Sequence, residues 1–115
     1  MTDVSSLIRE IPIGDMPNYG SKVMAAKCVA VAMGLQAAFN VPFEKAIKFF
    51  DTAIPGLNLK DNPPSVDDAH HVLGVPPSFY KTFSKLVYLY ENSDAAKMLA
   101  EMINTDPTQT TSHFI

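Results

Sequence analysis

The chain has one cysteine, one arginine and five glycines in 115 residues, and each scarcity excludes something. A single cysteine cannot close an intramolecular disulfide, so the fold is expected to hold without oxidation and to suit a reducing, cytoplasmic setting. Arg9 is the lone arginine, and residues 55–115 set four lysines against seven acids, a balance poor for gripping phosphates. The sequence contains no glycine-rich phosphate loop, no G-x-S-x-G elbow and no H-E-x-x-H pair. Alternating strand patterns, repeats and low-complexity segments are also missing. The first residues, MTDVSSLIREI, lack the basic start and apolar run of a secretory signal.

What remains is a composition of 47% hydrophobic and 18% charged residues, which describes a folded globular chain. Its length predicts one domain with a real core, spanning residues 1–104, followed by a polar tail over 105–115.

The organising stretch is residues 21–40, SKVMAAKCVAVAMGLQAAFN. Between its ends only Lys22, Lys27 and Gln36 are strongly polar, and a helix apolar nearly all round is normally buried. Ala26, Ala30, Gly34 and Ala38 recur every four residues and share one face, which lets a second helix approach closely. Two candidate neighbours exist within the chain, the helices predicted over residues 43–54 and 78–91; the same helix in a second subunit is the other. The intramolecular neighbour is preferred, because one domain of this size needs one central helix. A membrane span is not expected, since the uninterrupted apolar run from Cys28 to Leu35 is far shorter than a bilayer crossing.

Around this helix the punctuation marks further helices. Thr2 or Asp3 can cap a short one through Ile11, where Pro12 stops it. Gly14, Pro17 and Gly20 break residues 12–20 into a loop. Asn40 or Val41 precedes a helix with Pro42 in its first turn and Glu44 near its positive end. Phe43, Ile47, Phe50 and Ile54 lie on one apolar face there, and Pro55-Gly56 ends it. LNLKDNPP, residues 57–64, reads as an ordered loop between two halves. Ser65 with Asp68 resembles a capping box opening a helix to Leu73, ended by Gly74. Pro76-Pro77 can start the helix over 78–91, and Ser93 caps a last one from Asp94 to about Ile103. The fold class is therefore all-α, a single compact domain of about five helices around a central buried helix.

Residues 65–86, SVDDAHHVLGVPPSFYKTFSKL, carry the one motif that points to an activity. Ala69, Leu73, Gly74 and Val75 follow the A-x-x-x-L-G-V grammar of a capped first helix, with Pro76-Pro77-Ser78 as the turn. The stretch resembles the helix-turn-helix of DNA-binding regulators. That resemblance implies Tyr80, Phe83, Leu86 and Val87 toward the core and Ser78, Lys81, Thr82 and Lys85 as the stripe facing a major groove. The physical reason for the glycine is a turn position of positive φ.

Phe79, Tyr80, Phe83, Tyr88 and Tyr90 crowd one helix that cannot bury them all on one side. Tyr88 and Tyr90, together with Phe114 and Ile115 at the end of the polar tail, are the candidate partner contacts; a tyrosine ring is apolar while its hydroxyl tolerates water. Asp67 and His71, one turn apart, form half of a metal site, but a third ligand is missing, so no metal is expected. Cys28 lies in the apolar helix, where a thiol is raised in pKa and inert. With no cofactor motif and no catalytic pair, an enzyme is not expected. The leading functional expectation is a non-catalytic helical interaction or assembly protein acting on a protein partner or a second copy. The alternative is a helix-turn-helix DNA-binding transcriptional regulator, against which the acidic charge weighs.

Overall fold

The computed structural model describes residues 3–11, 21–62, 64–74 and 83–105, without the side chains of Ser21, Val66, His70, Phe83, Ser84, Lys85 and Leu86. Six helices lie among them: α1 (Val4–Glu10), α2 (Ser21–Phe39), α3 (Phe43–Ala53), α4 (Val66–Leu73), α5 (Phe83–Glu91) and α6 (Asp94–Asn104). No strand occurs among the described residues. The fold is all-α, and its radius of gyration of 13.4 Å is close to the about 13 Å expected of a compact domain near this length.

α2 is the centre, touching all five other helices. Met24, Ala26, Cys28, Val29, Ala30, Val31, Ala32 and Leu35 are all buried along it. Over residues 22–39 its mean hydropathy is 1.4, so by length and composition it is long and apolar enough to cross a membrane. More than half of that window (56%) is buried inside the protein, and contact with five helices accounts for its apolar character. Lys27 itself is buried, and its Nζ donates to the backbone carbonyl of Arg9 at 3.2 Å. That carbonyl belongs to the last turn of α1, the negative end of its dipole, where a cation is favourable. Burial of a lysine is thus tied to holding α1 against α2.

Each remaining helix follows from its local chemistry. α1 buries Val4, Leu7 and Ile8 and is followed by buried Ile11, an i, i+3, i+4, i+7 stripe that packs on α6 and α2. Asp3 stands at its N-cap position but makes no cap bond; its carboxylate accepts from the Ser5 hydroxyl, which lowers its pKa. α2 ends at Asn40, whose φ of 57° is left-handed; its N–H donates to the Gln36 carbonyl at 3.2 Å. Pro42 is the N-cap of α3 rather than a first-turn residue, and Glu44 lies in the first turn. Phe50 and Ala46 carry the buried side of α3, while Phe43, Ile47 and Ile54 are only partly covered.

The segment after α3 is an ordered loop. Leu57 and Leu59 are buried, and both Asp51 carboxylate oxygens are engaged, accepting the N–H of Leu59 at 2.7 Å and of Lys60 at 3.2 Å. Two backbone donors on one partly exposed carboxylate contribute about 1–2 kcal/mol. Asp51→Ala is therefore expected to lower stability by about 1–2 kcal/mol in urea melts and to speed amide exchange at Leu59. An unchanged exchange rate there would show that the loop is held by its leucines alone.

Ser65 caps α4 as expected, its Oγ accepting the Asp68 N–H at 3.0 Å, and Ser93 does the same for the Ala96 N–H at 3.2 Å in α6. α6 buries Ala95, Ala96, Leu99, Ala100 and Ile103 against α1, α2, α3 and α5.

The small-residue face of α2 has an intramolecular neighbour. The ring of Tyr90 on α5 lies where a Cβ on Gly34 would stand, and its hydroxyl donates to the Ala30 carbonyl at 3.3 Å. Tyr90 is fully buried. It was expected as a partner contact on the surface; instead it is the residue by which α5 locks into α2. Its position explains why. Tyr90 lies seven residues, two helical turns, after Phe83 and so repeats the register on α5 that the sequence assigns to the core.

Candidate functional site: two surfaces flanking the core

Tyr88 lies across α5 from Tyr90, because two residues advance a helix by about 200°. It is 71% exposed, the most exposed large apolar side chain among the described residues; Met98 on α6 follows at 42%. Around Tyr88 the chain turns sharply from α5 into α6. The Asn92 side chain donates to the Tyr88 carbonyl at 2.8 Å, and the Ser93 N–H donates to the Tyr90 carbonyl at 3.0 Å, fixing that corner. Glu10 from α1 closes the other side, so that Glu10, Tyr88, Leu89, Asn92, Asp94 and Ala95 line an open cleft of about 450 Å³. Its chemistry is an aromatic ring beside acidic, amide and hydroxyl groups, Ser93 among them, suited to contact with another macromolecule.

A second, larger cleft of about 790 Å³ opens between α3 and the segment around residues 59–65. Phe43 and Ile47 form one wall, Leu59 and Pro64 the other, and Val29 of α2 lies beneath. Of these, Val29 and Leu59 are buried, while Phe43, Ile47 and Pro64 are partly exposed. Glu44, Lys48, Asp51, Thr52, Lys60 and Ser65 make the rim. The face Phe43, Ile47, Phe50 and Ile54 was legible as one apolar stripe. Its division was missed: Phe50 turns into the core, while Phe43 and Ile47 remain at a cleft. The signal was present in Leu57 and Leu59, two leucines in a loop that must pack against something, and α3 is what lies before them.

The sequence-derived sites are brought together only in part. Tyr88 is on the surface; Tyr90 is not. Phe114 and Ile115 lie outside the described residues, as do Ser78, Lys81 and Thr82; Lys85 is on α5 but its side chain is not described. On the first half of the helix-turn-helix-like stretch, Ala69 and Leu73 are buried and Gly74 has φ of 70°, the positive value its turn position requires. Asp67 and His71 are both exposed on α4, and no group of three metal-ligating side chains occurs among the described residues. Cys28 is fully buried, and desolvation raises its thiol pKa far above the ordinary range despite the neighbouring Lys27 charge. Compared with known proteins, the chain matches no family model, no curated protein sequence and no solved structure.

Proposed function

We propose that this protein is a non-catalytic helical interaction protein, which binds a protein partner or a second copy of itself through the surface around Tyr88. The observation that supports the reading is the 71% exposure of Tyr88 at a corner whose backbone is fixed by Asn92 and Ser93. An aromatic ring on a rigid platform loses little entropy on association and contributes a large contact area, which is why tyrosine is enriched at binding hot spots. Leu89 and Ala95 line the same cleft, and a reducing, cytoplasmic setting suits a chain whose one cysteine is buried.

Sedimentation of the purified chain, and capture of partners from its native source after nuclease treatment, tests this. A defined oligomer or a stoichiometric complex is expected, weakened at least tenfold by Tyr88→Ala with an unchanged melting temperature. A clean monomer with no co-purifying partner refutes the reading. The second reading, a helix-turn-helix DNA-binding regulator, is favoured by the left-handed Gly74 between α4 and the following segment. It predicts duplex binding that falls steeply with salt and is abolished by Lys81→Glu with Lys85→Glu; no shift of any duplex at low salt disposes of it.

A further inference from the structure

The Tyr88 cleft carries charge of one sign only. Glu10 and Asp94, both exposed, line it together with the Tyr88 ring, and none of its lining residues is basic. Neither carboxylate makes an ion pair or a side-chain hydrogen bond among the described residues. The backbone adds to the same sign. α5 ends at Glu91 with no basic residue in its last turn, so nothing on that turn offsets the negative end of its dipole. The positive end of α6, which begins beside it, is itself offset by the Ser93 cap and by Asp94 in the first turn.

That charge narrows the occupant. A phosphate backbone is repelled by such a cleft. A purely apolar segment would cover the ring but take two unpaired carboxylates out of water. A second copy fits poorly, because an isologous contact through this face would set Glu10 and Asp94 of one copy against those of the other. What answers both the ring and the carboxylates is a cation with a flat, weakly hydrated face. A guanidinium stacks on tyrosine and donates paired hydrogen bonds to a carboxylate, whereas an ammonium is a strongly hydrated point charge. We propose that the cleft takes an arginine side chain from a basic segment of a different protein, its guanidinium on the Tyr88 ring and its N–H groups toward Glu10 and Asp94. This rests on the reading of the Tyr88 surface as an interaction face and adds to it the charge and kind of the partner.

Amide NMR titration of the full chain with tetra-arginine at low salt tests the proposal, with tetra-lysine and tetra-glutamate for comparison. Saturable shifts are expected at Glu10 and over residues 88–95, weakening as salt is raised and absent with tetra-glutamate. Tetra-lysine should bind roughly twofold or more weakly than tetra-arginine. Tyr88→Leu, which keeps an apolar side chain and removes the ring face, should weaken tetra-arginine by roughly two- to fivefold and erase its preference over tetra-lysine. Glu10→Gln with Asp94→Asn should weaken it by roughly threefold or more, circular dichroism confirming the fold. Shifts spread evenly over all the exposed acids, equal binding of tetra-lysine, or a Glu10/Asp94 variant that binds like the parent chain overturns the proposal. So does the absence of saturable shifts at these residues. In that case a complex or oligomer that Tyr88→Ala still weakens leaves the interaction surface standing without its arginine, and the loss of both ends both readings.

Discussion

Tyr90→Ala should cost about 3–5 kcal/mol, the range for deleting a large aromatic side chain from a core. Tyr90 is among the largest fully buried side chains described, and the three atoms nearest to a Cβ on Gly34 of α2 all belong to its ring. The loss combines two parts that a second variant separates. Tyr90→Phe keeps the ring and removes the hydroxyl that donates to the Ala30 carbonyl, so it should cost about 0.5–1.5 kcal/mol. The difference between the variants measures the ring. Thermal melts give a convenient readout, since about 1 kcal/mol moves the midpoint by about 4–8 °C in domains slightly smaller than this one. Tyr90→Ala is then expected to fall by more than about 10 °C. Equal, small losses for both variants would mean that α5 does not depend on Tyr90 for its place.

Gly34→Ala is the reciprocal experiment, and its sign is the interest. In an exposed helix interior, glycine to alanine gains about 1 kcal/mol in propensity. Here the added Cβ would lie inside the Tyr90 ring, with all three of its nearest neighbours belonging to that ring. A buried aromatic ring cannot swing aside as a flexible chain end can, so α5 must move off α2. Overpacking of this kind costs about 1–3 kcal/mol or more, and with overlap this deep the upper end applies. The net expectation is a loss of about 2 kcal/mol or more. In the Tyr90→Ala background the clash is absent and propensity alone remains, so the same Gly34→Ala change should be neutral or stabilising by up to about 1 kcal/mol. A double-mutant cycle should therefore give a coupling of about 2–3 kcal/mol. Additive effects would refute the packing.

The central helix was legible because its whole circumference is apolar, and so were the stops at Asn40, Pro55-Gly56 and Gly74, where chain chemistry leaves few options. The Ser65 and Ser93 caps were legible for the same reason: a small hydroxyl side chain just before a helix has one best use. What escaped was the partition of aromatics. Tyr88 and Tyr90 are chemically identical and two residues apart, so composition cannot separate them; helical phase can. Tyr90, seven residues after Phe83, repeats the register the sequence expects in the core, and Tyr88, about 200° from Tyr90, falls on the other side of the helix. The α3 cleft escaped for another reason. Its walls come from residues 43–52 and 59–65, and their separation depends on how Asp51 folds the loop back, a contact between a carboxylate and two backbone amides that leaves no pattern in the sequence.

The Tyr90 hydroxyl reaches a carbonyl sixty positions earlier in the chain, and that span sets the order in which the molecule can assemble. α2 and α3 are adjacent and can meet early, through contacts local in sequence. The small-residue trough of α2 stays uncovered until α5 has been made and the intervening segment has closed, a slower, non-local step. A chain stopped after residue 62 would present that trough, with Ala30 and Gly34, to solvent. The fold is not divisible at its mid-chain loop: the first half supplies the socket and the second half the key, and neither is expected to be stable without the other.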